Sequence, residues 1–137
     1  MKAGVLTAAA IGVAVCALGA EKLDPKAVGA GRTSYLRYCA SCHGPSAKGD
    51  GPAASALKTP PADLTTLPRK DGAFDAERVA TGIDGTRSAP AHGSREMPVW
   101  GKVFARTAKP SGAGAAQTEI ANLVDYIQSI QAEPGKP

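Results

Sequence analysis

With 137 residues the chain has room for one domain and little more. Aromatic residues make up only 4% of it, which excludes a core built on its own ring systems; 16 Gly, 11 Pro and the lack of alternating Val/Ile/Thr runs exclude an extended sheet. The net charge of +4 comes from basic residues scattered singly, which excludes a nucleic-acid-binding arm.

Residues 1–20 join Lys2 to an alanine-rich apolar run that ends in the small residues Ala17, Gly19 and Ala20. That is the layout of a secretory signal, with cleavage expected near position 19 or 20. The alternative is a retained membrane anchor, because the run is about the minimum length for a span, roughly 17–25 residues. Cys16 leaves with the signal in the first reading; Val15 before it is bulkier than a lipoprotein cysteine site takes. Residues 21–30 are a polar lead-in expected to be poorly ordered. The domain is expected over 31–132, with a disordered tail at 133–137.

From Gly31 a helix is expected to run into Tyr38, starting a little earlier than a cap at Thr33 or Ser34 would place it. Gly31 and Tyr35 share one face of it, being four apart. Glycine costs about 1 kcal/mol against alanine inside a helix, so its presence points to close approach by another helix. This helix ends in Cys39-Ala40-Ser41-Cys42-His43, which reads C-x-x-C-H, the attachment signature for c-type haem. Two thiols at that spacing add to the two vinyl groups of a haem, and the histidine after the second is held under the iron as its proximal ligand. A haem would also supply the apolar bulk that the composition lacks.

Residues 44–67 are rich in Gly, Pro, Lys and Asp, with Lys48-Gly49-Asp50-Gly51-Pro52 as the clearest turn and one helical turn expected over 53–57. Asp75 caps a short helix that Gly82 is expected to stop, and 82–95 is expected to be loop. Met97-Pro98-Val99-Trp100-Gly101 follows, then a short helical turn through Val103 and Phe104. Residues 110–116 are a small-residue linker. The last helix is expected over 117–131, capped by Thr118, with Ile120, Leu123, Val124, Ile127 and Ile130 on one stripe.

An iron with histidine below it needs a sixth ligand or an open position. The candidates are Met97 and His92. A thioether stabilises ferrous iron, and Pro98 stiffens the loop behind Met97, so Met97 is preferred; a lone methionine can otherwise be core filler. Trp100 and Arg95 flank Met97. Trp100 either donates to a haem propionate or simply packs on the haem, and Arg95 is read as a solvated surface charge.

On these residues the chain resembles the class I cytochrome c family, in its bacterial monohaem form, over nearly all of the sequence after the leader. Gly31-x-x-x-Tyr35-x-x-x-Cys39 is similar to the family's first helix, and Leu123-x-x-Tyr126 to the positions it meets on the last. Met97-Pro98-x-Trp100-Gly101 is similar to the distal loop of many bacterial members. Gly51-Pro52 is similar to the segment whose proline carbonyl accepts the proximal histidine's ring N–H. The resemblance implies a small all-α fold, three to five short helices and long loops wrapped around one covalent haem c. Its cofactor-binding residues would be Cys39, Cys42, His43, Met97, Pro52 and Trp100, with His43 and Met97 on the iron.

The implied function is periplasmic electron transfer without catalysis, between a dehydrogenase or membrane complex and an oxidase or other acceptor, through transient docking to redox partners. The distal loop and the scarcity of lysines around the haem motif look more bacterial than mitochondrial. A haem enzyme or gas sensor would need Met97 absent or displaced. A zinc site from Cys39, Cys42 and His92 would lack well-spaced ligands, and a redox dithiol would expect a βαβ setting.

Overall fold

A computed structural model describes residues 22–86, 97–107 and 112–132. The leader, the tail, His92 and Arg95 lie outside them. The architecture is all-α: α1 (Pro25–Tyr38), α2 (Ala40–His43), a 3-10 turn (Ala54–Ala56), α3 (Ala76–Asp84), α4 (Trp100–Thr107) and α5 (Gly112–Ser129). One two-residue antiparallel hairpin, β1 (Arg69–Lys70) and β2 (Ala73–Phe74), interrupts them. Its turn is Asp71-Gly72, both at positive φ, the dipeptide that primed hairpin turns favour. No helix among the described residues is long and apolar enough to cross a membrane.

α1 starts inside the stretch expected to be a disordered lead-in. Asp24 is its N-cap and accepts from the Lys26 backbone N–H at 3.0 Å, with Pro25 opening the helix. Such a cap contributes about 1 kcal/mol, and proline suits the first helical position because its missing N–H would be unpaired there anyway.

The core is the crossing of α1 and α5. Gly31 is buried, and a methyl group in its place would overlap the Asn122 carbonyl and lie 2.9 Å from Tyr126 Cβ. The missing side chain therefore lets the backbones meet, as the sequence suggested. Tyr35 and Leu123, both fully buried, flank the contact. The Tyr35 ring lies 5.1 Å from that of Tyr126, tilted at 47°, and Ser34 hydrogen-bonds Glu119 across the same interface.

α5 is longer than its apolar stripe implied. It begins at Gly112, so residues 112–116 are helix and not linker, and Thr118 is not a cap: its hydroxyl donates to the Gly114 carbonyl within the helix at 3.0 Å. The alanines here are the best helix formers, and Ala116 is itself in the core. α3 likewise runs through Gly82 to Asp84. It is capped by Asp75, which accepts from the Arg78 N–H at 2.9 Å, and closed by Gly85 in the left-handed conformation at φ +82°. α4 extends the expected short turn to Thr107.

Candidate haem-binding site

The site begins where α1 hands over to α2. The Cys39 N–H still donates to the Tyr35 carbonyl at 2.9 Å, and the His43 N–H closes the next turn on the Cys39 carbonyl at 2.9 Å. Cys39, Cys42 and His43 are thereby presented by consecutive turns of nearly continuous helix. The turn ends at Gly44, whose carbonyl accepts from the buried Tyr35 hydroxyl at 2.6 Å. Burial first, and the Cys39 thiol second, hold that phenol well above its ordinary range, so it stays a donor. The aromatic residue at the helix crossing thus also secures the exit of the motif.

Both cysteines are free and half-buried. Burial, with a smaller contribution from Cys42, pushes the Cys39 thiol up to about 11. It is therefore a protonated thiol at neutral pH, whereas a metal-binding or redox-active cysteine works as a thiolate.

The His43 ring is held by the loop that follows. Its Nδ1 lies 3.0 Å from the Ala62 carbonyl. A carbonyl can only accept, so Nδ1 carries the hydrogen and Nε2 keeps the lone pair. Burial pushes the imidazole below its ordinary pKa, against the opposing effect of the Ala62 bond. A neutral ring with a fixed tautomer and one free lone pair is the form that ligates a metal.

The acceptor is not the Pro52 carbonyl that the family pattern suggested. Gly51-Pro52 is spent on the end of α2: the Gly51 N–H donates to the Cys42 carbonyl at 3.1 Å and the Ala53 N–H to the Ser41 carbonyl at 2.9 Å. A side chain at Gly51 would sit 2.6 Å from the Cys42 oxygen. This segment closes over the motif helix, and the later Pro60-Pro61-Ala62 segment reaches the ring.

That later segment is anchored from two sides. The Leu64 N–H donates to the Ala47 carbonyl at 2.7 Å. From the end of α5, the Gln131 amide donates to the Leu64 carbonyl at 2.6 Å and accepts from the Leu67 N–H at 3.3 Å. Just beyond, the Ala132 N–H donates to the Thr65 carbonyl at 2.7 Å. Asp63 folds the loop locally by accepting from the Thr65 N–H and hydroxyl at 2.8 and 2.6 Å. Sequence reasoning missed Ala62 and Gln131; a backbone acceptor has no residue signature, and Gln131 stood at the end of an amphipathic stripe.

Met97 lies just ahead of α4 and is 43% exposed. Trp100 is half-buried in a triad with Tyr38, the neighbour of Cys39, and Phe104. Its ring is 5.6 Å from each, stacked on Phe104 at 25°. Two surface hollows, of about 340 and 500 Å³, lie along α3 and include none of Cys39, Cys42 and His43. The motif's chemistry, and not hollow size, locates the site.

These residues fit a c-type haem: the Cys39 and Cys42 thiols one turn apart, and beside them a neutral imidazole whose Nδ1 is taken by the Ala62 carbonyl, leaving Nε2 to ligate. The Cytochrome c family model matches residues 28–131, a span from the first turn of α1 to Gln131. Comparison with curated proteins and with solved structures gives no match.

Proposed function

The chain belongs to the cytochrome c family, and from that premise we propose that it is an exported, periplasmic one-electron carrier with a single covalent haem c. That it is a haem protein of an electron-carrier family follows from membership; the site roles, compartment and partners are the proposal. Cys39 and Cys42 would hold the haem through thioether bonds, and His43 Nε2 and Met97 would hold its iron. When bound, the group supplies a ferric/ferrous couple whose potential its surroundings tune.

The observation that carries this reading is the His43–Ala62 hydrogen bond. It leaves Nε2 as the only metal-binding nitrogen of the ring and raises its basicity. The chain's remaining task is to change little between oxidation states. A motif helix tied to α1 by Tyr35, and a loop tied to α5 by Gln131, serve that end. With Met97 as well as His43 on the iron no position would be left for a substrate, which supports a role in passing electrons rather than in catalysis. Its donor is a dehydrogenase or membrane complex and its acceptor an oxidase or similar protein, met through small, short-lived interfaces.

The experiment is expression with haem-attachment machinery, followed by denaturation and mass determination. One haem is expected to stay on the chain, and to be lost when Cys39 and Cys42 are both changed to alanine. Amino-terminal sequencing of the same sample should start near residue 20 or 21; a start at Met1 replaces export in free form with a membrane-anchored protein. Haem absent from the denatured wild-type chain refutes the proposal.

A further inference from the structure

Met97 is the least enclosed of the proposed haem ligands. At 43% exposure its side chain is not fixed by packing of its own, so its reach depends on the segment that follows it. That segment, Pro98-Val99, leads into α4, which packs on α5 and is seated from two further sides.

On one side it meets the end of α3. A methyl group at Gly101 would overlap the Asp84 carboxylate and lie 3.1 Å from the Asp84 carbonyl oxygen. Gly85 reciprocates: a methyl there would lie 2.7 Å from Val99 Cγ1, and its φ of +82° is one that side chains rarely adopt. The end of α3 and the start of α4 thus meet closely at two glycines: Gly85 holds a left-handed conformation against Val99, and Gly101 faces the Asp84 carboxylate and carbonyl. On the other side Tyr38 packs its ring 5.6 Å from Trp100 and 5.4 Å from Phe104, and Phe104 is 2% exposed. The same tyrosine is covalently next to Cys39, so it couples α4 to the point of haem attachment.

We propose that Tyr38, Gly85 and Gly101 are positioning residues for the Met97 sulfur: by seating α4 between the end of α3 and the end of α1 they set where the methionine reaches. The inference rests on the reading of Met97 as the distal ligand. An external ligand competes with the sulfur in proportion to the fraction of molecules in which the sulfur is out of place. Unseating α4 raises that fraction without touching the iron's proximal side.

The test is titration of the reduced holoprotein with carbon monoxide, with thermal unfolding measured on the same samples. The variants are Met97→Ala, Tyr38→Leu, Tyr38→Phe and Gly101→Ala. Ile130→Ala, at the far end of α5, serves as a control for general destabilisation. Tyr38→Leu and Gly101→Ala are expected to bind carbon monoxide at least roughly tenfold more tightly than wild type. Tyr38→Phe, which keeps the ring contacts, should stay near wild type. Ile130→Ala should unfold at lower temperature without that gain.

If Met97→Ala opens the iron while Tyr38→Leu and Gly101→Ala stay within twofold of wild type, the positioning role is refuted and the ligand reading survives. An equal gain in Ile130→Ala also refutes it, since general loosening then suffices. If Met97→Ala itself binds no better than wild type, the ligand reading has failed and the positioning role falls with it.

Discussion

The tightest contact in the core gives a sharp test of the fold, because the same substitution two positions apart should act with opposite sign. Gly29 and Gly31 both lie inside α1. At Gly29 an added methyl meets nothing within 4 Å, so Gly29→Ala should bring the helix-propensity gain alone, up to about 1 kcal/mol of stabilisation. At Gly31 the methyl overlaps the Asn122 carbonyl and approaches Tyr126 Cβ at 2.9 Å. Most of what it strikes is backbone, which cannot swing aside. α1 and α5 must then move apart where Tyr35 and Leu123 are wholly buried.

Overpacking of this kind costs about 1–3 kcal/mol, and backbone neighbours place Gly31→Ala at the upper end. Subtracting the propensity gain leaves a net loss of about 2 kcal/mol. Denaturant unfolding of the holoprotein, followed by far-ultraviolet circular dichroism, measures both variants. A Gly31→Ala protein as stable as wild type would show that the helices do not meet at that glycine.

Other expectations follow from the same contacts. Tyr35→Phe leaves the Gly44 carbonyl without its buried donor and should lose about 1–3 kcal/mol, read in the same unfolding assay. Gln131→Ala removes the amide that joins α5 to Leu64 and Leu67, and should loosen the loop carrying the Ala62 carbonyl. Hydrogen exchange at residues 64–67 should quicken by at least roughly tenfold, the equivalent of about 1.4 kcal/mol. The Asp63 carboxyl is held below its ordinary value of 3.8 by the Thr65 hydroxyl and then the Thr65 N–H. Its folded pKa being depressed, its contribution is complete above about pH 4 and fades as pH falls through the depressed value. Thr65→Val should therefore lose less stability than wild type on acidification, as followed by melting temperature against pH.

The attachment motif and the helix crossing were legible in the sequence. Cys39, Cys42 and His43 announce themselves by spacing, and Gly31 with Tyr35 announces a helix crossing because glycine in a helix asks for a reason. What escaped was carried by backbone, by small residues or, in Gln131, by a side chain with no spacing signature. The His43 partner is a carbonyl, which every residue has; the choice between Pro52 and Ala62 turns on which loop reaches the ring, and that depends on Gly51-Pro52 being occupied with the carbonyls of α2. The starts of α1 and α5 were missed for a related reason. Apolar periodicity does not register Asp24-Pro25 or the run Gly112–Ala116, although capping and alanine propensity favour helix in both.

Optical titration of the reduced, purified wild-type protein with carbon monoxide tests most directly the claim that one haem sits between His43 and Met97 and only carries electrons. The account predicts a low-spin spectrum that stays unchanged at gas concentrations that already saturate Met97→Ala, since His43 and Met97 would both be on the iron. A spectrum that shifts on addition, to a carbon monoxide complex, would mean an open or readily opened iron and would contradict it.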